Sequence, residues 1–98
     1  MHRMTRATAA FAILALSTAA AFAGDSDACK KVRFADVGWT DITSTTALSS
    51  RILEGLGYQP SNQVLSVPVT YKSLSNKDID VFLGNWMPTM EADRKPYV

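Results

Sequence analysis

Two tryptophans and one aspartate are the side chains of this sequence best suited to bind a ligand. Trp39 lies two residues before Asp41, and Trp86 lies in a second short motif, residues 84–88. The faces of indole rings carry negative electrostatic potential, and aromatic cages hold quaternary ammonium ions at about 2 kcal/mol for each desolvated contact. The carboxylate of Asp41 could add a counter-charge. The three residues therefore indicate half of a binding site for an organic cation.

The first tryptophan lies between a predicted strand and a predicted helix. Residues 30–37 alternate apolar and charged side chains, which is typical of a strand, and Gly38 ends it. Residues 41–56 predict an amphipathic helix, with Asp41 as a preferred N-cap type and Gly57 in the left-handed position that ends a helix. The stripe expected to pack on a sheet consists of Ile42, Leu48, Ile52, Leu53 and Leu56.

The second tryptophan follows a third predicted strand. Residues 62–67 predict the second strand, and Pro68 suits the first turn of a short helix that ends near Ser75. Residues 80–85 predict the third strand. After it, Thr89 is the expected cap of a last helix that Pro96 interrupts. This alternation of strands and helices predicts an α/β fold with a parallel βαβαβ sheet.

Both tryptophans are expected at the same edge of that sheet. Ligands of open parallel sheets bind in a cleft beyond the carboxyl ends of the strands. If the second strand is at the edge, the first and third strands are neighbours, and Trp39 and Trp86 rise from one rim. The residues alone leave other roles open, namely a packing role for either tryptophan and a purely capping role for Asp41.

Residues 1–23 have the pattern of a cleaved secretory signal peptide. Arg3 and Arg6 give a basic start, residues 7–22 are apolar and uncharged, and Ala21 and Ala23 are the small residues that a signal peptidase recognises. A short membrane anchor is the alternative, but the apolar run is shorter than the roughly 20 residues of a spanning helix. Since no lipobox precedes Cys29, we expect residues 24–98 to be exported as a soluble protein.

The composition of residues 24–98 excludes several classes of function. This part keeps eight of the ten Lys and Arg and all nine Asp and Glu, so its formal charge is −1 rather than +1. That balance removes the electrostatic case for nucleic-acid binding. The only histidine, His2, lies in the predicted signal peptide. We therefore expect no enzyme activity, no metal and no cofactor, because no imidazole remains for general-base work or metal binding.

Cys29 is a lone cysteine, and the sequence leaves its state open. It is either a buried thiol or the partner of a cysteine on another chain or in sequence outside these residues. A hydrolase or redox enzyme built on Cys29 would lack both a histidine beside it and a second cysteine.

Three segments of the chain resemble the choline-binding proteins of bacterial ABC importers. They are residues 29–43, 65–71 and 78–91, and together they include both tryptophan motifs. The resemblance implies one lobe of a two-lobed, type II periplasmic binding protein related to glycine-betaine binders, with choline in a box of aromatic rings. It implies that Trp39 and Trp86 are two walls of that box and that Asp41 contacts the choline.

The resemblance also implies that residues 24–98 are a truncated, N-terminal portion of the first lobe, because members of this family are much longer. The remaining walls, the second lobe and any disulfide partner of Cys29 would then lie outside this sequence. We expect a monomeric periplasmic protein that delivers choline to a membrane permease. The alternatives are a binder of glycine betaine or proline betaine, whose carboxylate Asp41 would repel, and a remnant without function.

Overall fold

The computed structural model describes residues 24–98, so the predicted signal peptide, residues 1–23, lies outside the described residues. Helices and strands alternate along the described part. In chain order they are α1 (Asp27–Lys30), β1 (Lys31–Asp36), α2 (Thr40–Gly55), β2 (Gln59–Val64), α3 (Val67–Ser75), β3 (Val81–Phe82), α4 (Glu91–Arg94) and a final 3₁₀ turn (Lys95–Tyr97). Within residues 24–98, each helix is too short or too polar to cross a membrane.

The three strands form a parallel sheet in the order β2-β1-β3. All of β1 pairs with β2, from Lys31 opposite Gln59 to Asp36 opposite Val64. On its other side, β1 pairs Phe34 with Val81 and Ala35 with Phe82. The predicted α/β fold is confirmed, and the first and third strands are neighbours as expected.

The core lies around the central strand. Phe34 and Ala35 of β1 are 3% and 0% exposed, and the apolar side chains buried with them are Ile42, Tyr71, Ile79 and Met90. Each helix that follows β1 or β2 also buries a threonine completely, Thr46 from α2 and Thr70 from α3. Because burying a large apolar side chain is worth roughly 1.5–3 kcal/mol, this small core depends on the few residues that contact β1.

The prediction for the buried face of α2 was correct for Ile42 and wrong for most of the other residues. Of the expected stripe, Leu48, Ile52 and Leu56 are 57–69% exposed, whereas the buried residues of the helix are Ile42, Thr46 and Ser50. These three repeat every four residues and share one face, but Leu48 lies roughly 240° around the axis from Ile42 at about 100° per residue. Small hydroxyl side chains thus approach the sheet, and the larger leucines point away from it.

The second strand lies three residues earlier than predicted. It was expected at residues 62–67 and is observed at Gln59–Val64, and Val67 instead begins α3. β2 is an edge strand with largely exposed side chains, so pairing with β1 sets its position rather than its own apolar residues. Pro60 is tolerated there because an edge strand has one unpaired side.

Some of the predicted boundaries of the other helices and strands were correct, and others were wrong. Pro68 lies in the first turn of α3 and Gly57 has φ +90°, both as expected. At the end of α2, Tyr58 N–H donates to Leu53 C=O and Gly57 N–H to Glu54 C=O, at 2.9 and 3.0 Å. The third strand is only Val81–Phe82. The expected cap at Thr89 was wrong, because the N-cap of α4 is Met90.

An ion pair joins β1 to the residue before β3. The Arg33 guanidinium donates to both carboxylate oxygens of Asp80, at 2.8 and 3.0 Å, and the backbone N–H of Arg33 donates to Asp80 Oδ2 at 2.8 Å. Asp80 N–H donates in turn to the carbonyl of Arg33 at 2.8 Å. These hydrogen bonds lower the pKa of Asp80 from 3.8 to about 2.

We expect this pair to stabilise the fold above about pH 4. A carboxyl whose pKa is lower in the folded chain contributes stability above its unfolded pKa of 3.8, and the contribution is lost as the pH falls towards 2. Asp80→Asn should therefore lower the urea midpoint at neutral pH, and its difference from the parent should shrink between about pH 4 and pH 2. The effect should be modest, because side chains about 40% exposed are screened by solvent.

Asp78→Asn is the matched control, since Asp78 lies two residues away and takes no part in these hydrogen bonds. A difference between Asp80→Asn and the parent that stays constant from neutral pH down to about 2 would contradict the assignment.

Candidate ligand-binding site

The turn after β1 carries Trp39 and is fixed by the side chain of Asp36. This aspartate is 6% exposed. Its carboxylate accepts the Gly38 N–H at 2.8 Å and the Thr43 hydroxyl at 2.8 Å through Oδ2. Gly38 has φ +81°, a conformation that favours glycine. The chain therefore leaves the sheet through a tight turn that leads directly into α2.

Trp39, rather than Asp41, is the N-cap of α2. The carbonyl of Trp39 accepts the Thr43 N–H at 2.8 Å, and helical geometry begins at Thr40. The expectation that Asp41 caps the helix was therefore wrong. Asp41 is exposed in the first turn, where a negative charge interacts favourably with the helix dipole. The Trp39 side chain is 42% exposed.

Trp86 lies in a loop that buried residues hold in place. The backbone N–H of Trp86 donates to the Gly84 carbonyl, and the Trp86 carbonyl accepts the backbone N–H of Met90, both at 2.8 Å. Met90 is 3% exposed and anchors the far end of this loop in the core, whereas Trp86 is 57% exposed. The loop is thus fixed while the indole remains open to solvent.

Next to Trp86, Asn85 is held by Tyr71 of α3. The Tyr71 hydroxyl donates to Asn85 Oδ1 at 2.5 Å, and its ring packs edge-on against Phe82 with centroids 5.9 Å apart. Burial raises the pKa of Tyr71, which keeps the hydroxyl protonated as a donor. Asn85 lies fourteen residues after Tyr71, so no local sequence pattern indicates this contact.

The two tryptophan segments meet where Gly84 contacts Ile42. A Cβ atom added to Gly84 would lie 2.7 Å from the Phe82 ring and 3.1 Å from Ile42 Cγ1. Ile42 is three residues after Trp39, and Gly84 is two residues before Trp86. The turn after β3 therefore packs directly on the first turn of α2.

The strand order places both tryptophans just beyond the ends of neighbouring strands. Ala35 is paired with Phe82, and Trp39 and Trp86 each follow four residues later. Both indoles lie beyond the carboxyl ends of neighbouring strands, and their exposure shows that neither is inserted into the core. Together with Asp41 they form what we call the rim.

Two cavities in the described part of the chain are lined by residues other than Trp39, Asp41 and Trp86. One, of about 350 Å³, has Tyr71, Phe82, Asn85 and Tyr97 among its lining residues. The other, of about 310 Å³, lies beside Tyr58. The rim is thus an exposed surface rather than an enclosed pocket.

The other side chains considered for binding or catalysis are possible metal ligands, Cys29 and Asp36. Among residues 24–98, no three His, Cys, Asp or Glu side chains lie close enough to hold a metal ion. Cys29 is an exposed free thiol, so the interpretation of a buried cysteine was wrong. Asp36 is the residue that sequence reasoning missed, although an aspartate two residues before a glycine is a recognised signal for a side-chain-capped turn.

A small α/β unit with exposed aromatic residues beyond its parallel strands fits the class of two-lobed solute-binding proteins. Residues 30–98 match the family described as the substrate-binding domain of the ABC-type glycine betaine transport system. The chain belongs to this family. Its members bind solutes and are not enzymes.

The relatives of known sequence or structure are longer than this chain. An uncharacterized protein (ORF1) of Chromohalobacter salexigens is 50% identical over 93 residues, which are 95% of this chain and 58% of that protein. An ABC-transporter choline-binding protein in complex with choline is 70% identical, with a TM-score of 0.72 over 74% of this chain and 25% of that one. An unliganded, semi-closed ABC-transporter choline-binding protein is 73% identical, with a TM-score of 0.66 over 71% of this chain and 24% of that one.

The contact between Gly84 and Ile42 predicts a steric effect at the base of the rim. Gly84→Ala should destabilise the fold by about 1–3 kcal/mol, because the added methyl group must displace the Phe82 ring and Ile42. Gly55→Ala is the control, since a methyl group there meets nothing within 4 Å. At that helical position it should stabilise by up to about 1 kcal/mol. Urea unfolding measures both, and equal midpoints would contradict the proposed packing.

Proposed function

We propose that this chain supplies part of a choline site in the solute-binding component of an ABC importer. Trp39 and Trp86 are two aromatic walls, and Asp41 is the counter-charge. The observation that carries the proposal is that two exposed tryptophans follow the ends of adjacent parallel strands, each four residues after the paired Ala35 and Phe82.

The chemistry of the rim suits a permanently charged nitrogen. Indole faces attract cations without needing a hydrogen-bond donor, which a trimethylammonium group lacks. The anionic side chain of Asp41 adds attraction for the charge or accepts a hydrogen bond from the choline hydroxyl. The two solved relatives at 70% and 73% identity are both described as choline-binding proteins, which supports the same ligand for this chain.

Glycine betaine is the second candidate ligand, because the family description names it. It presents the same trimethylammonium group but carries a carboxylate in place of the choline hydroxyl. Asp41 would repel that carboxylate, and a betaine site needs hydrogen-bond donors at this point. Asp41 at the rim therefore favours choline.

In the transport role that we propose, the chain belongs to the N-terminal part of the first lobe of a longer, monomeric protein. Substrate-binding proteins of ABC importers are in general periplasmic. Residues 1–23 would direct export and be removed after Ala23. The ligand would be captured by closure of two lobes about a hinge and passed to a membrane permease, with no bond made or broken.

The rim alone should bind choline weakly. Two exposed rings at about 0.5–1 kcal/mol each contribute roughly 1–2 kcal/mol in total. A dissociation constant of 1 mM needs about 4.1 kcal/mol. We therefore expect this chain to bind choline with a dissociation constant well above about 1 mM.

NMR titration of the ¹⁵N-labelled 98-residue chain tests the proposal. Choline at up to about 50 mM should shift the indole N–H signals of both Trp39 and Trp86 without saturating. The neutral analogue 3,3-dimethylbutan-1-ol, in which carbon replaces the charged nitrogen, should leave both signals in place. Asp41→Asn should reduce the shifts caused by choline and increase those caused by glycine betaine.

Equal shifts with choline and its neutral analogue would show that charge plays no part and would overturn the proposed cation site. Saturation at micromolar choline would instead contradict the expectation that these three residues are only part of the cage. Shifts that glycine betaine induces more strongly than choline in the parent chain would favour the second candidate.

A further inference from the structure

The backbone of Asp36 is fixed in the sheet, at the point where the chain leaves it. Asp36 is the last residue of β1, opposite Val64 in the register with β2. Its carbonyl accepts the Leu65 N–H at 2.8 Å, which continues the pairing by one residue. The Cα atom of Asp36, from which the side chain extends, is therefore held in place by the sheet.

Two donors from different segments converge on the carboxylate of Asp36. The Gly38 N–H comes from the turn, at 2.8 Å from Oδ1, and the Thr43 hydroxyl comes from α2, at 2.8 Å from Oδ2 and 3.1 Å from Oδ1. A buried carboxylate is costly unless it is hydrogen-bonded, so both contacts hold the charge in place. The carboxylate thus links the sheet, the turn and the helix.

Trp39 lies between the two anchored points. Gly38 precedes it, and Thr43 closes the first helical turn by donating its N–H to the Trp39 carbonyl. Trp39 as a whole is 42% exposed, so its backbone contacts act together with partial packing of the residue. The hydrogen bonds of Gly38 and Thr43 fix the backbone of Trp39 on both sides.

We propose that Asp36 is a positioning residue for ligand binding, which acts by holding residues 38–43 so that Trp39 and Asp41 are presented at the rim. This inference rests on the proposed function for its role in binding, but the positioning itself can be measured without ligand. Thr43 provides the cleanest test, because its side chain is exposed and its hydroxyl bonds to Asp36.

The experiment compares Thr43→Val, which removes only the hydroxyl, with Thr43→Ser, which retains it. Thr45→Val is the matched control, because the Thr45 hydroxyl bonds to the Asp41 carbonyl of its own helix at 2.8 Å and not to Asp36. NMR relaxation should show backbone order parameters of Gly38 and Trp39 falling from about 0.85 to below about 0.6 in Thr43→Val. Thr43→Ser and Thr45→Val should match the parent, and the Trp86 indole should be unchanged in all three.

Unchanged order parameters in Thr43→Val, or an equal loss in Thr45→Val, would overturn the positioning role. A loss that extends to the Trp86 indole would also overturn it, since that result would indicate general loosening of the fold. Choline shifts of the Trp39 signal supply the second readout and should weaken at least about threefold in Thr43→Val, as expected when a hydrogen bond to a charged group is removed. Absence of choline shifts in the parent would refute the proposed function while leaving the ligand-free result for Asp36 intact.

Discussion

The architecture depends on the pairing of β1 with a neighbour on each side. Both backbone edges of a central strand must be hydrogen-bonded, which buries Phe34 and Ala35 and fixes the register of β2 and β3 around them. Parallel pairing then sends the residues after β1 and β3 out at the same edge of the sheet. The proximity of the Trp39 and Trp86 segments is a consequence of this strand order, and neither indole has to contact the other to achieve it.

The groups beneath the rim are buried, and the groups on it are exposed. The loop with Trp39 is held by hydrogen bonds to Asp36. The loop with Trp86 is held by close packing at Gly84 and by a hydrogen bond from Met90. Trp39 and Trp86, in contrast, are 42% and 57% exposed, so part of each residue remains in contact with water. A fold that buried these rings in its own core would be more stable and would have no such surface.

The sequence predicted the elements whose signals are local. Alternation in β1, Gly57 after α2 and Pro68 in α3 each act within a few residues, and all three were located correctly. Features set by distant partners were not predicted. β2 takes its register from β1, and α2 turns small hydroxyl residues towards the sheet. For Asp36, the hydrogen bond from Gly38 has a local signal, whereas the hydrogen bond from Thr43 of α2 does not. The order of the elements was therefore better predicted than the contacts between them.

The absence of a side chain at Gly84 determines how closely the two tryptophan segments pack. Because Gly84 has no side chain, the turn after β3 approaches the first turn of α2 so closely that a Cβ atom at this position would lie 3.1 Å from Ile42 Cγ1. The backbone before Trp86 is therefore packed against the helical turn that follows Trp39. A side chain at position 84 would have to push these two segments apart, so the spacing at the base of the rim depends on this one glycine.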